Sequence, residues 1–113
     1  MILIIRESVT PEQITQMSEA FGKTLIKLAV DVERGILAGG GELHADCEEA
    51  LLEDGSRQND IWGADWYPHE RSVGFESLIN IRPKQNNRSL EIQDPTLRNR
   101  IETIVRQFFE VKV

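Results

Sequence analysis

Apolar positions recur along the chain at two different periods, and the places where the period changes mark its elements. Ile2 to Ile5 is an unbroken apolar run ahead of Arg6 and Glu7, which predicts a short buried strand. Thr10-Pro11-Glu12-Gln13 opens a helix. Thr10 suits the cap, Pro11 the first helical position where no N–H is needed, and Gln13 can reach back to the cap. Ile14, Met17 and Phe21 follow at helical spacing, and Gly22 is a natural stop. From Leu25 the period falls to two. Ile26, Leu28, Val30 and Val32 face one way and Lys27, Ala29, Asp31 and Glu33 the other, the pattern of a half-buried strand. Arg34-Gly35 predicts a hairpin turn, Ile36-Leu37-Ala38 the return strand, and Gly39-Gly40-Gly41 its end.

Residues 43–53 fit two patterns. Leu43, Cys47, Ala50 and Leu51 make a helical stripe closed by Gly55, with Asp46 and Glu49 as a second possible capping pair. The rival is a strand through Ala50-Leu51-Leu52 turning at Asp54-Gly55; the helix is the better fit. Ile61 to Tyr67 and Val73 to Ile81 predict an antiparallel hairpin. In its second strand Val73, Phe75, Ser77, Ile79 and Ile81 share one face. Arg82 to Ser89 is polar and predicts a surface loop. Asp94-Pro95 opens a last helix with Leu97, Ile101, Ile104, Val105 and Phe108 as its apolar stripe. Arg98, Glu102 and Arg106 form an ion-pair ladder on another side of that helix.

The order β-α-β-β-(α)-β-β-α, rich in hairpins, predicts an α+β fold. Its sheet is mainly antiparallel, of about five strands, with two or three helices packed on one face. The strand order is not readable from the pattern. At 113 residues the chain, 1–113, is expected to be a single globular domain.

Composition narrows the class further. The net charge of −6 disfavours non-specific nucleic-acid binding, which needs a cationic surface. The charge is uneven: residues 1–56 carry a net −7 and residues 57–113 a net +1. With one cysteine no internal disulfide can form, which fits a reducing cytoplasm. Met1 to Ile5 lacks the basic region and the length of a signal peptide, and no run is long enough to span a membrane.

Four groups of residues could carry chemistry. His44, Asp46 and Cys47, with Glu48 and Glu49 beside them, combine imidazole, thiol and carboxylates, donors that suit zinc; the bland alternative is a buried cysteine beside helix-start charges. Asp31 and Glu33 share a strand face, with Asp60 and Asp65 beyond, and could hold magnesium or act as acid and base, or simply form a polar outer sheet face. Trp62 and Trp66 share a strand face and could stack a base or a partner, or pack as core under a helix. Asn80, Arg82, Lys84, Gln85, Asn86, Asn87 and Arg88 gather donors suited to a phosphate or carboxylate ligand in the chain's only concentrated positive region, or form a plain solvated loop. This loop could also pair with the acidic 42–54 segment of a second copy. The glycine triplet is not followed by the lysine and hydroxyl of a phosphate-binding loop, and no G-x-S-x-G or H-E-x-x-H pattern occurs.

GGGELHADCEEALLEDGSRQNDIWGADWYP, ESLINIRPKQNNRS and DPTLRNRIETIV together resemble a family of short bacterial proteins of unknown function, frequent in cyanobacteria. The resemblance covers roughly Ile26 to Val105 and implies a free-standing cytoplasmic domain without implying a reaction type. With no catalytic set to name, the leading expectation is a small non-enzymatic binding or interaction protein that self-associates or binds another protein, without cofactor or membrane. The alternative is a metal-assisted hydrolase or nuclease using Asp31, Glu33, His44 and Asp46 with a divalent ion. A weaker third is nucleotide or single-strand binding through Trp62, Trp66, Arg82 and Arg88.

Overall fold

The computed structural model describes residues 1–110. Its chain order is β1 (Leu3–Ile5), α1 (Pro11–Ser18), β2 (Ile26–Asp31), β3 (Ile36–Gly39), α2 (His44–Glu53), β4 (Ile61–Tyr67), β5 (Ser72–Gly74) and α3 (Pro95–Phe109). The five strands form one sheet in the order β1-β3-β2-β4-β5, and every pairing is antiparallel. The fold is α+β, as the pattern predicts. No helix among the described residues is long and apolar enough to cross a membrane.

Both outer helices start where their capping residues place them. Thr10 Oγ1 accepts from the Gln13 N–H while Gln13 Oε1 accepts from the Thr10 N–H, a complete capping box ahead of Pro11. Asp94 Oδ1 accepts from the Thr96 N–H ahead of Pro95. α3 buries Ile101, Ile104, Val105, Phe108 and Phe109. At about 1.5–3 kcal/mol for each such side chain, this stripe outweighs the helix's surface ion pairs, worth a few tenths each. Arg106 pairs with both Glu102 and Glu110, whereas Arg98 leaves the expected ladder and bonds Glu91.

α1 and α3 pack on the face formed by Ile26, Leu28, Val30, Leu37, Trp62, Ala64 and Trp66. Trp62 and Trp66 are therefore core, and Trp66 stacks on Phe109 at 5.4 Å. α2 covers the other face, where Cys47 and Leu51 meet Ala29, Ile36, Ala38 and Ile61. Two helices thus share one face as expected, and the third makes the sheet a middle layer. This corrects the half-buried reading of β2, the central strand: Ala29 is fully buried beneath α2, and Asp31 is fully buried at the β2–β3 turn. The small Ala29 and Ala38 let the helix approach. Residues 43–53 resolve as helix, ending at Asp54 with Gly55 at φ +100° beyond it. Between β3 and α2, Gly40 has φ +104°, and any Cβ there would run into the Met1 carbonyl.

The expected strand 73–81 is cut short. β5 ends at Gly74, and Leu78–Asn80 form a 3-10 turn instead. The fully buried Asn80 takes the place of a strand neighbour. Its Oδ1 accepts from the Gly63 N–H at 2.8 Å, and its Nδ2 donates to the Gly63 carbonyl at 3.0 Å. Gly63 permits this approach, since a Cβ there would lie 2.5 Å from Ser77 Cβ.

Candidate functional site

Cys47 anchors the first turn of α2. It is fully buried, donates from Sγ to the Lys27 carbonyl at 3.4 Å and packs against the Gly41 backbone. Burial pushes its thiol up to about 11, far from the range of a nucleophilic thiolate. Asp46 Oδ2 accepts from the Leu43 N–H at 3.3 Å and steadies the same turn. This anchoring holds His44, the first residue of α2, over β4. Its Nε2 lies 2.8 Å from Asp65 Oδ1 and 3.1 Å from the Ala64 carbonyl. A carbonyl can only accept, so Nε2 carries the hydrogen. In the neutral ring Nδ1 is then the lone-pair nitrogen. The two side chains are only 11% and 9% exposed, so the pair is largely withdrawn from solvent.

His44 lines a groove of about 360 Å³ between the start of α2 and the 76–79 segment, with Leu43, Ala45, Leu78, Ile79 and Leu90 as its apolar walls. Past Leu78 and Ile79 the surface dips again into a hollow of about 340 Å³ reaching Glu48 and Arg82. Leu78 is 78% exposed and Leu43 58%, and Ile81 and Leu90 are also exposed. Four large apolar side chains therefore stand exposed around two neighbouring hollows that share Leu78 and Ile79, an arrangement that protein surfaces keep for contacts.

Arg82 ties this face together. Its Nη2 meets Glu48 Oε2 at 3.1 Å, its Nε donates to the Ile79 carbonyl, its Nη1 donates to the Gln58 carbonyl, and the guanidinium lies 4.8 Å from the Trp62 ring centre. Burial pulls its pKa down and Glu48 partly opposes that. Arg82 thus joins the acidic helix to the arginine–asparagine loop, but its donors are spent within the chain. Asn87 is likewise buried. Its amide donates to the Asn80, Ser89 and Glu91 carbonyls and its Oδ1 accepts from the Gln93 N–H. Asn80 and Asn87 hold the loop's shape, whereas Asn86 and Arg88 are exposed. The predicted surface loop therefore has a buried asparagine at its root.

The model of a protein family described as a protein of unknown function, DUF5674, matches residues 3–108. The chain belongs to that family. No curated protein and no solved structure matches it.

In this DUF5674 chain the other acids singled out from sequence are scattered. Asp31 lies four residues along β2 from Lys27, the residue that faces Asp65, so about 13 Å separates it from the His44 pair. Its Oδ1 accepts from the Glu33 and Arg34 N–H groups at 2.9 Å and closes the β2–β3 turn; its Oδ2 is buried without a partner. Among the described residues no group of three His, Cys, Asp or Glu side chains is placed to hold a metal ion. Trp62 and Trp66, inside the core, present no face for a base. The DUF5674 surface also has a cleft of about 460 Å³ beside β5 lined by Asp65, Tyr67, Gly74, Phe75, Glu76 and Arg98 among others. Burial first, then Asp65, Glu76 and Glu70, push the Tyr67 phenol above its usual value.

His44 and Asp65 both stand among the sequence candidates, but in separate groups; their pairing and the exposed leucines are what the sequence does not show. The signal for Asp65 was strand parity: with Trp62 and Trp66 turned to α3, Asp65 must face α2.

Proposed function

We propose that this chain is an interaction protein and that the face formed by α2, Leu78 and Leu90 is where a second copy docks. The observation that carries this is Leu78, 78% exposed at the rim of an apolar groove. A projecting side chain beside a hole of matching character is what a two-fold interface uses, because each copy can supply both parts. Charge supports the same occupant. Glu42 stands at the Leu43 end of the face and Lys84 at the Arg82 end, and neither forms an ion pair among the described residues. A two-fold axis near Leu78 sets each copy's Lys84 toward the other's Glu42. A stable dimer covers about 800 Å² per partner, roughly an eighth of the chain's 6448 Å².

Sedimentation velocity across micromolar to near-millimolar concentrations tests the proposal. Burying Leu78 contributes about 2 kcal/mol per copy, so Leu78→Glu, acting twice, raises the dimer Kd by roughly a thousandfold or more. A wild type that stays monomeric throughout, or a dimer unaffected by Leu78→Glu, overturns the proposal.

A further inference from the structure

The cleft beside β5 borders the leucine groove, with Glu76 lining both, but its chemistry is different. It exists because β5 is short. Pairing stops at Asp65 and Gly74, after which the chain turns away so that Glu76 can bridge Glu91. The floor left open is the sheet surface carrying Asp65 and Tyr67, two residues apart and on one side of β4. Gly74 keeps that floor clear. A Cβ there would lie 3.1 Å from Tyr67 Cε2 and 3.4 Å from Asp65 Oδ2, over the carboxylate itself.

Asp65 is 7% exposed. Its Oδ1 is taken by His44, while Oδ2 has no hydrogen-bond donor among the described residues. Oδ2 is not sealed from water, and with Asp65 lining the cleft it is the oxygen left for a donor from outside the chain. Glu76 and Glu91 line the same cleft, and the facing cation, Arg98, is already engaged: it bonds Glu91 Oε1 at 2.6 Å and the Ile92 carbonyl at 3.1 Å. Arg98 also displays how a cation sits here, with its guanidinium 4.3 Å from the centre of the Phe75 ring and a carboxylate at its edge.

We infer that the cleft binds a second guanidinium group, donating to Asp65 Oδ2 and Glu76 with its stem along the Tyr67 ring. A planar cation with several donors matches two carboxylates on adjacent walls better than a compact ammonium does. The cleft volume of about 460 Å³ suits a small ligand or a single side chain. The inference does not rest on the dimer proposed above, since none of the exposed leucines lines the cleft.

Amide chemical-shift titration at low ionic strength tests it, with methylguanidinium chloride as the probe and sodium chloride as the salt control. Saturable shifts are expected at Tyr67, Gly74 and Glu76 beyond those from salt, and n-butylammonium should bind more weakly. Asp65→Asn should weaken binding at least about tenfold. Because Asp65 also holds His44, Glu76→Gln is the second variant; its exposed side chain can change without loss of fold, and it should weaken binding severalfold. Two further probes separate the sources of the group, agmatine for a free small molecule and a blocked Gly-Arg-Gly peptide for an arginine side chain. Tighter binding of either supports the cleft and names the source. Shifts no larger than the salt control, or both variants binding as wild type does, overturn the inference.

Discussion

Replacing Asn80 with alanine removes one side chain and leaves two backbone groups, both on Gly63, without a partner. Gly63 loses a donor and an acceptor partner on the free edge of β4, while the Phe75 and Leu90 carbonyls lose the Nδ2 bonds at 3.2 and 3.4 Å but keep the Ile92 and Ser77 N–H groups. Asn80 is fully buried, so water does not replace them without opening the segment. Each buried group left unpaired costs about 1–3 kcal/mol, and the two on Gly63 come to about 2–6 kcal/mol. Against a total stability of about 5–15 kcal/mol, that is a large share. Urea unfolding followed by the fluorescence of the buried Trp62 and Trp66 reads the loss. With a slope of about 1.5 kcal/mol per molar urea, a 3 kcal/mol loss moves the midpoint down by about 2 M. Two further variants separate hydrogen bonding from volume. Asn80→Leu refills the space without the bonds and should remain destabilised. Asn80→Asp sets a carboxylate against three carbonyls and should be at least as damaging as alanine. A midpoint shift below about 0.5 M for alanine, or full recovery with leucine, would refute the claim that this side chain substitutes for a strand.

Cys47 and Asp54 respond to their surroundings in opposite senses. Cys47, buried and with its thiol raised to about 11, should resist iodoacetamide at mildly alkaline pH in the folded protein and react promptly in denaturant; rapid alkylation of the native protein, followed by mass spectrometry, would contradict its packing beneath α2. Asp54 has its pKa lowered by Arg6 and Arg34, so its contribution is complete above the ordinary carboxylate value and disappears as pH falls through the depressed folded value. The stability gap between wild type and Asp54→Asn should therefore be open near neutrality and close in acid, and a gap that widens in acid would reverse that sign.

The parts of this fold written in local chemistry were legible. Thr10 with Gln13 and Asp94 with Pro95 announce α1 and α3 because a cap is made by residues a few positions apart. The period-two run from Ile26 shows β2 for the same reason. What escaped depends on distant partners. Val73, Phe75, Ser77 and Ile79 alternate as a strand does, but alternation cannot tell whether the neighbour of β4 is a backbone or the side chain of Asn80. Ala29 and Asp31 look like an outer face because a small residue and an acid carry no apolar signal. Ala29 packs closely under α2, and Asp31 is occupied by the turn at Glu33 and Arg34. The candidate site shows the same division. His44 and Asp65 were each visible as ionisable groups, yet their meeting requires α2 to cross the sheet on the side away from α3. Leu78 looked like one position of a long strand. Its exposure follows from the 3-10 turn that Asn80 imposes.

The leucine face is tested most directly by nuclear Overhauser contacts between copies, in a mixed sample where one copy carries labelled methyl groups and the other does not. The account predicts contacts from the Leu78 methyls of one copy to Ala45, Ile79 or Leu90 of the other. Contacts confined to another surface, such as the open edge of β1, or no contacts between copies at concentrations where the protein is dimeric, would contradict it.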